Sequence, residues 1–133
     1  MFSVVIPLFN KAHTIERALK SVINQTFSNF EIIVVEDGSS DNGIEVINKF
    51  TNDKRLKIIK QKNQGASSAR NNGVKNAKYE YIALLDGDDE WDPKYLETVH
   101  EAIKLYPNCG MVCCARYGKD EITKNLDLII AQK

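Results

Sequence analysis

The feature that most constrains the fold is a series of four short apolar runs rich in β-branched residues. They are SVVIP from Ser3, EIIVVE from Glu31, LKIIK from Leu56 and YIALLD from Tyr81. Their length and composition predict β-strands. Three runs show no polar alternation, which is typical of parallel strands covered by helices on both faces. The run LKIIK is flanked by lysines and predicts a strand nearer an edge.

The segments that separate and follow these runs predict helices, because apolar or small residues recur there at helical spacing. The four stripes are Ile15, Leu19, Val22 and Ile23; Ile44, Ile47 and Phe50; Ala66, Ala69, Gly73 and Ala77; and Leu96, Val99 and Ile103. The third stripe consists of small residues, so we expect its helix to approach the sheet closely. The alternation predicts an α/β, Rossmann-like, doubly wound and mostly parallel sheet with helices on both faces.

The end of the chain is less regular. GMVCCA from Gly110 predicts a fifth strand, and the closing NLDLIIAQK fits either a strand or a helix fragment. No linker, repeat or low-complexity tract interrupts the sequence. We therefore expect residues 1–133 to form a single domain.

Charge and hydropathy exclude two classes of partner. The 133 residues include 18 basic and 18 acidic side chains, so the basic field that supplies most nucleic-acid affinity is absent. No apolar run approaches the roughly 18 residues of a membrane span. The first residues, MFSVVIPLF, lack the basic start of a signal sequence and are interrupted by Pro7. We expect a cytoplasmic protein without a transmembrane segment, and peripheral attachment to the inner face of a membrane stays open.

Polar residues follow each predicted strand, where open parallel sheets bind their ligands. They are Pro7 to Asn10, Glu36 and Asp37, Asn63 to Gly65, and Asp86 to Asp89. A dinucleotide site needs a glycine-rich turn after the first strand, and PLFNKAH contains no glycine. The phosphate-binding pattern G-x-x-x-x-G-K-[ST] is also absent. Hydride transfer and P-loop chemistry are therefore not expected.

The acidic stretch LLDGDDEWD carries five carboxylates within seven residues. Such a crevice would repel a phosphorylated ligand unless a divalent cation came with it. Mg²⁺ and Mn²⁺ bind carboxylate and phosphate oxygens together, so Asp86 and Asp88 can hold a metal that bridges a diphosphate. A calcium loop fits the acid spacing superficially, but Trp91 stands where that loop needs glycine. Trp91 fits either a core position or a lid over a ligand.

Four segments, in order, resemble the successive blocks of the inverting, metal-dependent glycosyltransferases of family 2, which have a GT-A fold. They are SVVIPLFN, IIVVEDGSSDN, NQGASSARNNG and YIALLDGDDEWDPKYL, and the resemblance extends from Phe2 to Leu105. The resemblance implies transfer of a sugar from a nucleotide diphosphate donor, most often a uridine diphosphate (UDP) sugar. A glycan or a lipid-linked molecule is the acceptor class left open.

The resemblance also implies which residues contact the nucleoside. Asp37 corresponds to the aspartate that accepts a hydrogen bond from N3 of uracil. Phe9 stands where the family has an aromatic residue beside the base, and Pro7 shapes the same wall. The remaining implied nucleotide-binding residues on this side are Asn10, Asn63 and Gly65.

On the phosphate side, Asp86 and Asp88 correspond to the two ends of the D-x-D motif, the first toward ribose and the second toward Mn²⁺ or Mg²⁺. Asp89 is an adjacent candidate ligand, and Gly87 lies between the two ends. Arg70 matches an arginine near the donor phosphates, where a guanidinium offsets negative charge.

The chain is shorter than the family pattern. The acceptor-binding half and its carboxylate general base are not recognisable, and no catalytic residue is assigned. Two hypotheses follow: the chain is a glycosyltransferase or its donor-binding portion, or it is a non-catalytic module that binds nucleotide sugars. Asp41, in the same motif as Asp37, is interpreted mainly as a helix N-cap.

Overall fold

Strands and helices alternate throughout the part of the chain that the computed structural model describes, residues 1–113. The elements are β1 (Phe2–Leu8), α1 (Ile15–Ile23), β2 (Phe30–Glu36), α2 (Gly43–Phe50), β3 (Leu56–Lys60), α3 (Ala66–Lys75), β4 (Tyr81–Leu84) and α4 (Tyr95–Leu105). All four apolar runs form strands, and all four stripes lie on helices except for Ala77, which follows the end of α3. No helix within the described residues is long and apolar enough to cross a membrane.

The predicted fifth strand falls only partly within the described residues. From Gly110 to Cys113 the backbone has a single bridged residue, Met111, and no continuous strand. The rest of that run, and the closing segment 125–133, lie outside the described residues.

The sheet has the order β3-β2-β1-β4, and every neighbouring pair is parallel. The pattern confirms the doubly wound, parallel arrangement and places the lysine-flanked β3 at an edge. From β1 the chain proceeds outward to β3 and then returns to β4 on the other side of β1. The strand order therefore reverses between β1 and β4, the position at which such sheets form a ligand crevice.

Helices cover both faces of the sheet, and side chains alternate between the faces along each strand. Val4 and Ile6 of β1 belong to the core that α1, α2 and α4 cover. Val5 faces the opposite way and packs with Ala69 of α3 in a second, smaller core. One face is thus covered by three helices and the other by α3, which leaves the carboxyl ends of the strands accessible between them.

The small-residue stripe explains how α3 lies so close to the sheet. A Cβ atom placed on Gly73 would lie 2.3 Å from Cγ1 of Val5, a distance that real side chains do not reach. Ala77 lies beyond the end of α3 but still packs against the same core. The predicted close approach is confirmed, and glycine is required there for space.

Candidate functional site

The residues that follow the strands gather at one edge of the sheet. The strand pairing aligns Leu8 of β1 with Glu36 of β2, and Glu36 with Lys60 of β3. On the other side, the backbone N–H of Leu85 donates to the carbonyl of Val5 and extends the pairing toward the acidic loop. The loops after all four strands therefore lie at the same edge of the sheet.

Asp37 follows the buried Glu36 and is the most deeply buried acidic residue of this edge. The residue is 1% exposed, and its carboxylate accepts hydrogen bonds from three N–H groups. The side-chain amide of Gln61 and the backbone of Gln64 donate to Oδ1, at 2.8 and 2.9 Å, and the backbone of Gly65 donates to Oδ2 at 2.9 Å. Among residues 1–113 no lysine or arginine forms an ion pair with it. Neutral donors alone thus stabilise this carboxylate.

The loops after β2 and β3 meet at two glycines with positive φ. Gly38 has a φ of 73°, and a Cβ there would lie 2.8 Å from the backbone nitrogen of Asn63. Gly65 has a φ of 87°, and a Cβ there would have no other heavy atom within 4 Å. Gly38 therefore permits backbone contact between the loops, whereas Gly65 borders open space.

Asn10 joins the loops after β1 and β2. Its side-chain oxygen accepts hydrogen bonds from the backbone N–H and the hydroxyl of Ser40, at 2.9 and 3.2 Å, and its own N–H donates to Ser39 Oγ at 3.1 Å. Its φ of 53° lies in the left-handed region that asparagine tolerates. The neighbouring Phe9 is 44% exposed and leaves a ring face available at the edge.

Asp41 has the predicted structural role at the start of α2 and a second contact besides. The helix is assigned from Gly43, with Asn42 before it, and the Asn42 side chain makes no capping hydrogen bond. The Asp41 carboxylate accepts a hydrogen bond from the N–H of Gly43 at 3.1 Å and another from Ala12 at 2.8 Å. Asp41 therefore ties the start of α2 to the loop after β1, because its second oxygen reaches a neighbouring loop.

Each end of the D-G-D sequence is paired with a basic side chain. The Arg70 guanidinium, from α3, lies 2.5 Å from Oδ1 of Asp86. The Lys11 ammonium pairs with Oδ2 of Asp88. Gly87 between them packs on the end of β1, since a Cβ there would lie 3.3 Å from the Pro7 carbonyl oxygen. Arg70 thus contacts Asp86, and Gly87 lies beside Pro7.

Sequence reasoning missed the basic residues that face the acidic loop from α1 and the turn before it. Besides Lys11, Arg17 donates to the backbone carbonyl of Asp88 at 2.6 Å and lies 3.6 Å from the Glu90 carboxylate. Gln61 and Gln64, which hold Asp37, were also missed. The segment QKNQG follows a predicted strand, and that position could have indicated these two residues. Amide side chains carry no charge, however, so no charge pattern distinguished them from other polar residues.

The acidic loop fits a divalent cation in ligand type. Asp86 and Asp88 are 46% and 44% exposed, and each already accepts a cationic side chain. Carboxylate oxygens are the ligands that Mg²⁺ and Mn²⁺ prefer. Within residues 1–113, however, no three acidic, histidine or cysteine side chains converge as a preformed metal cluster. A metal ion held by the acidic loop would therefore need further ligand oxygens from a bound phosphate.

Trp91 packs against the larger core and stacks on Tyr95, with ring centroids 4.3 Å apart. Its backbone N–H also donates to the Ser21 hydroxyl at 3.1 Å. These contacts favour the core interpretation over a lid.

A polar groove of about 410 Å³ borders the Asp37 end of the site. Its lining consists of side chains from the end of β3 and one side of α3: Gln61, Gln64, Ser68, Asn71, Asn72 and Lys75. The acidic loop does not line this groove.

Comparison with known proteins gives one consistent result. The family model described as Glycosyl transferase family 2 matches residues 3–130. A cholesterol galactosyltransferase of Borreliella burgdorferi is 38% identical over 116 residues, which is 86% of this chain and 32% of that protein. The putative glycosyltransferase EpsH of Bacillus subtilis is 40% identical over 132 residues, covering 98% of this chain and 38% of that protein.

Solved structures agree. TarS residues 1–349 of S. aureus superimposes with a TM-score of 0.82 at 26% identity, covering 93% of this chain and 38% of TarS. The same protein in complex with UDP-GlcNAc superimposes with a TM-score of 0.80, covering 92% of this chain and 37% of TarS residues 1–349. The mannosyltransferase PcManGT of Pyrobaculum calidifontis, in complex with GDP-Man and Mn²⁺, shares the fold, with a TM-score of 0.76 at 23% identity over 90% of this chain and 36% of that one. The fold is that of the GT-A glycosyltransferases. The chain spans between 13% and 42% of the length of curated relatives such as these.

Proposed function

Because the chain belongs to glycosyl transferase family 2, we propose that its strand-end site binds the nucleotide diphosphate of a sugar donor, a UDP-sugar, for transfer with inversion. The observation that supports this proposal most directly is that two chemically different groups of residues lie at the same edge of the sheet. A buried carboxylate, Asp37, lies at one end, and an acidic loop paired with Arg70 lies at the other.

The base occupies the Asp37 end. Uracil presents an N3–H donor, and a carboxylate without a cationic partner is a strong acceptor for it. The exposed ring of Phe9 provides an apolar surface for stacking, and Pro7 forms the adjacent wall. Asn10, Asn63 and Gly65 shape the loops that surround this end.

The diphosphate occupies the acidic end with Mn²⁺ or Mg²⁺. Asp86 and Asp88 would hold the metal, with Asp89 as the adjacent candidate, and Gly87 lets the loop lie on β1. A divalent cation here would neutralise the diphosphate and stabilise it as a leaving group. Arg70 adds a guanidinium on the same side, and it can bind a phosphate oxygen as well as Asp86.

A second candidate is a module that binds nucleotide sugars without transferring them. The observation in its favour is that the described contacts at this edge account for donor binding alone. No side chain within residues 1–113 is assigned as the general base that inverting transfer requires.

Release of UDP from a UDP-sugar separates the two candidates. The chain would be incubated with Mn²⁺ and a panel of UDP-sugars, with bound and released nucleotide measured in parallel. Slow release that Asp88→Asn abolishes supports the transferase proposal, whereas binding without release supports the module. Failure of every UDP-sugar to bind would contradict both.

A further inference from the structure

The hydrogen bonds of Asp37 are not shared equally between its two oxygens. A carboxylate offers about four acceptor positions, two on each oxygen. Gln61 and Gln64 fill both positions on Oδ1, whereas Gly65 fills one on Oδ2. Among the described residues no fourth donor reaches this carboxylate, so a single position on Oδ2 is left. An unmet acceptor on a charge this deeply buried favours a ligand that supplies one more N–H.

Gln61 is held in the orientation that directs its N–H toward Asp37. Its side-chain oxygen accepts a hydrogen bond from the Asn72 amide at 2.6 Å, and the Asn72 oxygen accepts one from Asn76 at 3.0 Å. Because an amide that accepts on its oxygen must present its nitrogen on the other side, the chain of amides fixes the direction of the Gln61 donor. Oδ1 of Asp37 is therefore occupied by a positioned group.

Open space borders Gly65, the residue whose N–H donates to Oδ2. A Cβ placed on Gly65 would meet no heavy atom within 4 Å apart from its chain neighbours, and Asp37 itself lies farther away than that. A base would approach the buried carboxylate from this side of the loop.

We propose that Gln61 is a specificity-determining residue: by filling Oδ1 it limits Asp37 to a single hydrogen bond from the base. A base with one N–H donor on the contacting edge, such as uracil, satisfies that position. Guanine presents two adjacent donors, N1–H and the 2-amino group, and the second would meet an oxygen that is already saturated. This inference rests on the proposed function, since it assumes that the base binds at Asp37.

The fold leaves this choice of base open. One solved relative is in complex with UDP-GlcNAc and a structure with the same fold is in complex with GDP-Man. Selection must therefore come from individual side chains such as Gln61.

Guanosine and inosine diphosphates test the proposal without a change in base size, because they differ only in the 2-amino group. With Mn²⁺ present, the wild-type chain should bind UDP and inosine diphosphate more tightly than GDP, by about fivefold to a hundredfold, the range expected for one buried unpaired polar group. Gln61→Met removes the donor at nearly constant volume and frees a position on Oδ1. The preference for inosine over guanosine diphosphate should then shrink at least about fivefold.

Asn71→Leu is the matched control. Asn71 lines the same groove, but it is not among the donors to Asp37, so the preference should not change. If Gln61→Met fails to fold, Asn72→Leu replaces it, because loss of the Asn72 amide releases the Gln61 side chain. The preference should shrink there too.

An unchanged nucleotide preference in a folded Gln61→Met or Asn72→Leu chain would overturn the proposal, and so would a wild-type chain that prefers guanosine to inosine diphosphate. Both results leave nucleotide binding itself intact. A wild-type chain that binds none of the three diphosphates would instead contradict the proposed function.

Discussion

At the scale of single residues, two groups with unusual surroundings dominate the site and the core. Asp37 is 1% exposed with three neutral donors, and His100 has a buried Nδ1 without a hydrogen-bond partner. Sequence motif alone pointed to Asp37. Nothing in the sequence around His100 distinguished a half-buried ring from a surface one, because its neighbours come from distant segments.

Replacing Asp37 by alanine should reduce the preference for UDP over cytidine diphosphate. Cytosine has a lone pair at N3, so two acceptors would face each other at the carboxylate. We therefore expect the wild-type chain to bind UDP roughly tenfold or more tightly than cytidine diphosphate. Titration of both chains with both nucleotides at saturating Mn²⁺ measures the ratio. If Asp37 only orders its loop, the variant will lose affinity for both nucleotides equally.

His100 should make stability fall as the pH falls. Burial of the ring against Phe2 and Phe27 lowers its pKa from the ordinary 6.5, with Lys104 and the N-terminal amino group acting in the same direction and Glu101 opposing them. The folded state thus favours the neutral ring. The stability that the neutral His100 ring contributes is fully present above pH 6.5. It is lost as the pH falls from there through the lowered pKa of the folded state.

The thermal midpoint measured between pH 7.5 and 5 checks this expectation. His100→Phe keeps an aromatic ring on α4 but cannot take up a proton, so its midpoint should decline less across that range. Parallel declines in wild type and variant would show that other groups cause the pH dependence.

At the scale of elements, the apolar runs and stripes predicted all the strands and helices of residues 1–113, since burial on one or both faces leaves a direct periodic signal. Helix starts were predicted only in part. Asp41 accepts the hydrogen bond from Gly43 that a cap at the start of α2 requires, but its second oxygen also bridges to Ala12, which was not predicted. Such bridges depend on which loop lies nearby, and local sequence does not encode that.

Gly73→Ala should destabilise the chain although alanine is the better helix former. Helix propensity alone would give about 1 kcal/mol of added stability. The new Cβ would meet Val5 Cγ1 at 2.3 Å, however, and forcing α3 away from the sheet costs about 1 to 3 kcal/mol or more. We expect a lower urea midpoint for Gly73→Ala. Asn71→Ala, at an exposed position on the same helix, should leave it unchanged or raise it.

Within the acidic loop, Asp88→Asn should weaken metal-dependent UDP binding more than Asp89→Asn does. Asp88 already faces a cationic group, Lys11, and so marks the position at which positive charge is accommodated. The comparison uses Mn²⁺ titrations in the presence of UDP. The reverse order of effects would shift the ligand assignment by one residue.

At the scale of the whole molecule, the edge of the sheet at which the site lies could be predicted from sequence, because all carboxyl ends of parallel strands meet at one edge. The contacts that join its parts could not. The pairs Lys11 with Asp88 and Gln61 with Asp37 link residues 77 and 24 positions apart, and neither belongs to a periodic pattern. The family match extends over residues 3–130 and therefore supports the fold and the family.

Calorimetric titration of the chain with UDP, with Mn²⁺ and then with excess chelator, tests the central claim most directly. Asp86, Asp88 and Asp89 put several negative charges beside the place proposed for the diphosphate, so uncompensated UDP should be repelled. We predict binding with Mn²⁺ and at least about a tenfold loss of affinity on chelation. Equal affinity with and without metal would contradict the assignment of the acidic loop to the metal and the diphosphate.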